Sequence, residues 1–285
     1  MFNYVTLEAV KQYVGGSIGT SDDERLVEFI DWAARLVEWW KGRRYDVRLE
    51  TRLYDMPNPG GSRFGIYDTS LLAAATNRVL RLDEDLLEIV ELKNGDGVEI
   101  LASGYVLEPA NIYPKSRVRL RSGDVWLPGE DGPEQAISVK GLWGYHDRYT
   151  DAWRATGTVQ DNPLTAVAAT VTDTAVTGYE IGQLIRVEDE LMLVEDIDTV
   201  AKTLTVERGV NGSISAQHAT GQTIELYQVP GVISQICVRL VKWRYAQKDV
   251  DNFDQSYVVG SGVMTTPSSI PADVARILGA HRVRI

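Results

Sequence analysis

The 285 residues are 44% hydrophobic and 24% charged, enough for one large domain or two moderate ones around a substantial core. A net charge of −11 with no basic block argues against a general nucleic-acid binder, which needs a positive face to release counterions from phosphate. The single cysteine, Cys237, excludes an intrachain disulfide and a thiolate metal cluster.

The N-terminal MFNYVTLEAVKQYVGG has no basic start and no apolar run of signal-peptide length, and no stretch approaches the ~20 apolar residues of a membrane helix. The expectation is a protein made and folded in a reducing cytoplasm, without a membrane partner. Residues 6–14 read as a short helix, with Thr6 as cap and Gly15-Gly16 as stop. The most legible element is Ser21–Gly42. There Leu26, Phe29, Ile30, Ala33, Leu36, Val37 and Trp40 recur at steps of three and four, which places them on one stripe of a helix. Ser21 and Glu24 have capping-box spacing, and Gly42 suits the C-terminal stop. Trp32 and Trp39 fall on the stripe's edge, where they either widen the core contact or meet a neighbouring subunit.

From Asp46 the period changes to two. Residues 47–54 read as a half-buried strand, followed by a loop over 56–65. Further strands are expected at 78–82, 86–92, 98–101, 105–107, 118–120 and 136–143, separated by turns such as Asn94-Gly95-Asp96-Gly97. A second block, 153–228, is rich in Thr, Val and Ala. Its short strands at 181–187, 191–194, 203–206 and 223–227 suggest a small barrel or sandwich. Helix returns after Pro230. Val229, Ile233, Ile236, Cys237, Leu240 and Trp243 form one stripe, and Val238, Val241 and Tyr245 form part of a second, as expected of a helix packed between two neighbours. Residues 251–268 have no period. Then Ser269–Gly279 make a two-turn amphipathic helix too small to stand alone in water, so it either folds back on its own domain or docks on a partner.

Residue chemistry gives no active site. Gly15-Gly16-Ser17-Ile18-Gly19 matches G-x-S-x-G but follows a helix rather than a strand, so an inter-helix linker explains it better than a nucleophile elbow. His146, His218 and His281 lack zinc-ligand spacing and read as surface or turn residues. The acidic run Glu188-Asp189-Glu190 lacks the order of a calcium loop and reads as a solvated turn. Cys237 reads as a small core residue rather than a reactive thiol. No glycine-rich loop has the context of a nucleotide site. No catalytic, cofactor-binding or metal residue is assigned, and no cofactor is expected.

The order of elements resembles the head–tail adaptor (connector) family of tailed bacteriophages. The residues that carry the resemblance are Asp31–Glu38 with Gly42-Arg43-Arg44, Leu86–Val90 followed by Gly104–Leu107, the strand Ile137–Tyr145, and Pro230 leading into Ile236, Leu240 and Tyr245. It covers roughly residues 1–150 and 229–285. Residues 153–228 depart from it, with Gly182–Glu188, Leu204–Gly212 and His218–Gly221 similar to small β modules of phage neck, tail and baseplate proteins. The fold expected is α+β. Helices from both ends of the chain form a bundle beside an antiparallel β body, with an inserted all-β domain. The expected divisions are a connector core over 1–150 and 229–252, the inserted module over 153–228, and a C-terminal arm and docking helix over 253–285.

The resemblance implies a structural, non-enzymatic virion protein at the neck of the particle. It forms a homo-oligomeric ring, a dodecamer, below the portal protein. It contacts the next neck or tail protein (stopper, nozzle or tail tube) and leaves a channel through which DNA passes without sequence-specific binding. Portal docking would fall to Ile270, Pro271, Val274, Ile277, Leu278, Arg282 and Arg284, and subunit contacts to Trp32, Trp39, Val238, Val241 and Tyr245. The alternatives are another virion component, such as a tail-end or baseplate protein, or a carbohydrate-binding β protein that stacks Trp and Tyr on sugars.

Overall fold

The computed structural model describes residues 2–15, 18–57, 78–247, 256–257, 264–265 and 270–279. These residues are α+β, with four helices, a five-stranded and a six-stranded antiparallel sheet, and a two-stranded pair. They divide into two compact units: Val47–Asp151 with Asn211–Ser213, and Met1–Asp46 with Ala152–Val210 and Ile214–Ile285. Residues 47–151 thus make a unit of their own, and the strands of 153–228 group with the terminal helices.

The unit of Val47–Asp151 is built on β1 (Arg48–Tyr54), β2 (Val79–Lys93), β3 (Tyr105–Glu108), β4 (Lys115–Leu120) and β5 (Ile137–Trp143), in the order β1-β5-β2-β4-β3. Where the sequence suggests two strands at 78–82 and 86–92, one long β2 runs through. Its partner register against β4 shifts between Arg81 and Leu86, so a bulge absorbs the break in periodicity. Residues 98–101 make only an isolated bridge, Lys93 to Glu99. Leu80, Leu86, Leu92, Val118, Leu120, Trp126, Ile137, Val139 and Trp143 form the core, each large apolar side chain contributing about 1.5–3 kcal/mol by burial. Asn211 belongs to this unit: its Nδ2 donates to Val47 O at 2.8 Å, and its own carbonyl accepts from Leu49 N at 2.9 Å.

The other unit starts with α1 (Leu7–Val14), capped as expected by Thr6, whose hydroxyl accepts from Ala9 N at 3.2 Å. In α2 (Asp23–Lys41) the expected capping box does not form. A 3-10 turn over Thr20–Asp22 leads in, and the Asp22 carboxylate accepts from the Tyr245 hydroxyl at 2.5 Å instead of capping the helix. Gly42 stops it at φ 63°, a left-handed conformation that costs glycine little, and sends its N–H to Glu38 O at 2.7 Å. Leu26, Ile30, Ala33, Ala34 and Val37 are buried on α2.

Helix α3 (Gly231–Ala246) follows Pro230, and α4 is Ala272–Gly279. Helix α3 packs on α1, α2 and α4, which accounts for its apolar residues on more than one side. Burial pushes the Cys237 thiol up to about 12, so it is a packed core group and not a nucleophile.

The sheet of this unit runs β6-β11-β8-β9-β10-β7, where β6 is Trp153–Thr158, β7 Thr170–Thr172, β8 Leu184–Val187, β9 Glu190–Asp198, β10 Thr203–Glu207 and β11 Thr223–Tyr227. Val159, Leu164, Val171, Ile185, Val187, Met192, Val194, Leu204, Val206, Ile224 and Leu226 fill its interior. Gly157 is required by close approach. A Cβ there would lie 1.8 Å from Oδ2 of Asp173. That fully buried carboxylate accepts from Thr158 N, Ala175 N and the Tyr179 hydroxyl. Phe2, Tyr4, Tyr45 and Tyr227 stack edge to face at 5.7–6.3 Å where the chain's start and the α2 exit meet β11. The Tyr227 hydroxyl donates to Tyr45 O at 3.0 Å. The remaining strands among the described residues, β12 (Ser256–Tyr257) and β13 (Met264–Thr265), pair with each other.

Candidate functional site

The densest convergence of charged groups lies inside the six-stranded sheet, around Glu190 at the head of β9. Glu190 and His218 are each 1% exposed. Arg208 grips Glu190 with two parallel bonds, Nε to Oε1 at 2.6 Å and Nη2 to Oε2 at 2.7 Å. Gly209 N and Ala216 N add donors at 3.1 and 2.9 Å. His218 spans two carboxylates, Nε2 to Glu190 and Nδ1 to Glu188, both at 2.7 Å. The remaining Arg208 donors reach the carbonyls of Thr165, Ala168 and Ala216. Burial alone would push the Glu190 carboxyl up. The Arg208 pair, the Ala216 N–H and His218 outweigh it and hold the group below the usual carboxylate range. Every donor and acceptor at the centre faces another group of the chain, so this cluster closes the β7–β11 loops rather than opening toward a ligand.

The sequence reading is corrected at two points here. The acidic run is not a uniformly solvated turn, because Glu190 is buried, and neither His146 nor His218 is a surface residue, at 5% and 1% exposed. The available signal was the combination of an acid opening one strand, an Arg-Gly after another, and a histidine ten residues beyond that arginine. Only the three-dimensional fold shows that these meet. His281 lies outside the described residues, as do Gly16 and Ser17 of the G-x-S-x-G stretch and the unpatterned loop over most of 251–268.

The residues assigned to subunit contacts divide sharply. Trp39 is 78% exposed on the last turn of α2. Trp32 stacks instead on Trp243 of the same chain, with centroids 6.3 Å apart and planes 24° from parallel. Val238 and Val241 are 8% and 0% exposed, covered by packing within the chain, and Tyr245 is tied to Asp22.

The docking set is also rearranged. Ile270, Val274 and Leu278 are buried at 9%, 0% and 0%, because α4 lies against α2 and α3. Lys41 Nζ, lowered in pKa by burial, donates to Ile277 O and Leu278 O at 3.0 and 2.8 Å. It puts a cation on the C-terminal carbonyls of α4, where the helix dipole favours one. Arg239 pairs with Asp273 at 2.5 Å. Of the two alternatives for this helix, the described chain shows it folded back. Pro271 and Ile277 are half-buried, and Arg282 and Arg284 lie outside the described residues.

Outside these networks, one open cleft of about 460 Å³ belongs to the five-stranded unit. Its apolar wall is unusually bare, with Val98 61%, Leu101 65%, Val125 51% and Leu127 37% exposed. Among the described residues no group of three His, Cys, Asp or Glu side chains is placed to hold a metal ion, and no helix is long and apolar enough to cross a membrane. Compared with known protein-family models and with curated proteins, the chain matches none of either.

Proposed function

We propose that this chain is a structural head–tail adaptor of a tailed phage. It assembles as a ring below the portal, contacts the next neck or tail protein, and leaves a channel for DNA. The observation that carries this reading is the order of elements: a helix pair, an antiparallel β body, then a proline-started helix, the same order by which the sequence resembles the connector family. In this reading the four helices are the connector's bundle, and the six-stranded sheet is an insertion between the β body and α3.

Two further features support it. Trp39, Val27, Tyr13 and Val232 are large apolar side chains left 47–78% exposed on α1, α2 and α3, the kind of surface that a ring neighbour would cover. A net charge of −11 suits a ring through which DNA slides without adhering. The dense charge cluster at Glu190 is internally paired and serves stability, so the reading assigns no catalytic step.

The test is the mass of the purified chain, alone and mixed with purified portal, by mass photometry. The expected result is a discrete closed species of twelve chains of 31.6 kDa each, formed alone or on portal addition. A chain that stays monomeric at micromolar concentration with portal present overturns the proposal.

A further inference from the structure

The five-stranded sheet ends at β3, whose outer edge has no strand partner among the described residues. Such an edge is a template for another strand. On its inner side β3 pairs with Arg117-Val118-Arg119-Leu120, in the register Glu108–Arg117, Leu107–Val118, Val106–Arg119 and Tyr105–Leu120. The chain carries nearly the same four residues once more, at its end: Arg282-Val283-Arg284-Ile285. We propose that the open edge of β3 receives this C-terminal segment from a second copy of the chain, and that the exchange links neighbours in the ring. The inference rests on the ring reading given above.

Three observations favour that occupant. First, laid on β3 in the register β4 uses, Val283 and Ile285 fall beside Leu107 and Tyr105. These are half-buried side chains at the fringe of the core, so the added strand would finish covering them. Second, the same register sets Arg282 beside Glu108, the acid that Arg119 at 2.7 Å and Arg117 at 3.9 Å meet from the other side. The cleft that opens at the start of β3, along Leu101, Ser103 and Gly104, adds Glu99 and Asp124 and so offers Arg284 negative charge. Third, α4 ends at Gly279, with Ile277 and Leu278 held by Lys41, and six residues follow it. Fully extended they reach about 20 Å, enough for a four-residue strand beyond a short lead. A tail of one copy on the sheet edge of the next is a heterologous contact, the kind that closes into rings.

The test has two arms. In the first, a fluorescein-labelled peptide of residues 280–285 is titrated into the chain lacking those residues and followed by anisotropy. Saturable binding is expected, weakened at least tenfold by Arg282→Glu/Arg284→Glu in the peptide. In the second, mass photometry compares the wild type with Arg282→Glu, Glu108→Arg and the double variant. Each single change is expected to raise the concentration needed for assembly at least tenfold, and the double variant to restore most of it. The Glu108–Arg119 pair is partly exposed, so its loss is expected to cost the fold little. Assembly unchanged by removing 280–285, with no peptide binding, overturns this inference and leaves the adaptor reading standing. Peptide binding by the shortened chain, with a full chain that stays monomeric and does not bind the peptide, places the tail on its own sheet and overturns the exchange. A full chain monomeric even with portal overturns the ring reading itself.

Discussion

Glu190→Ala is expected to cost the unit that contains it about 3–5 kcal/mol, the range for breaking a buried ion pair by removing one partner. The substitution leaves the Arg208 guanidinium, with a side chain 7% exposed, without its counter-charge. It also strands two backbone N–H groups and one ring nitrogen of His218. Glu190→Gln separates charge from shape, since the amide oxygen keeps one acceptor while the carboxylate charge is lost. The pH dependence follows from the direction of the shift. The carboxyl is held below its ordinary value in the folded chain, so its contribution is whole above the ordinary glutamate pKa of about 4.3 and disappears as pH falls through the folded value. Urea unfolding followed by circular dichroism should show the wild type weakening over that acid window and Glu190→Gln nearly flat across it. A Glu190→Ala chain within about 0.5 kcal/mol of wild type, the range of ordinary surface changes, would refute this account of the β loops.

The second large effect is expected at Trp143, in the other unit. Its ring is fully buried at the end of β5, the strand between β1 and β2. Its Nε1 donates to Glu50 O at 3.0 Å, the Arg52 guanidinium lies 4.9 Å from the ring centroid, and Tyr54 packs at 6.4 Å. Trp143→Ala removes one of the two tryptophans of that core and should cost about 3–5 kcal/mol, with faster hydrogen exchange in β1 and β2. Trp143→Phe, which keeps most of the volume and loses the N–H, should cost less than half as much. Equal losses for the two variants would mean that the hydrogen bond, and not the packing, holds the strand junction.

Much of this architecture is written in local pattern. The stripe from Leu26 to Val37, the Thr6 cap, the Gly42 stop and Pro230 before α3 each act within a turn or two of chain, so a one-dimensional reading finds them. What escaped it depends on partners far away in sequence. Ser21 looks like a cap, but Asp22 is taken by Tyr245 of α3, 223 positions on, and a 3-10 turn opens the helix instead. The break between Leu82 and Leu86 reads as a turn but is a bulge, because β4 and β5 hold both halves of β2 in one sheet. Val238 and Val241 look like interface residues until α1, α2 and α4 cover α3 within the chain. Glu190 and His218 read as solvated because acids and histidines at turns usually are. Only their meeting with Arg208 makes burial affordable.

The proposed role comes down to where the protein sits in the particle. Virions carrying an epitope tag on this chain, labelled with gold-conjugated antibody and imaged by electron microscopy, give the most direct answer. Label confined to the neck between head and tail, as a ring around the channel axis, is the predicted result; label at the tail tip, or tagged protein found only outside the particle, would contradict it.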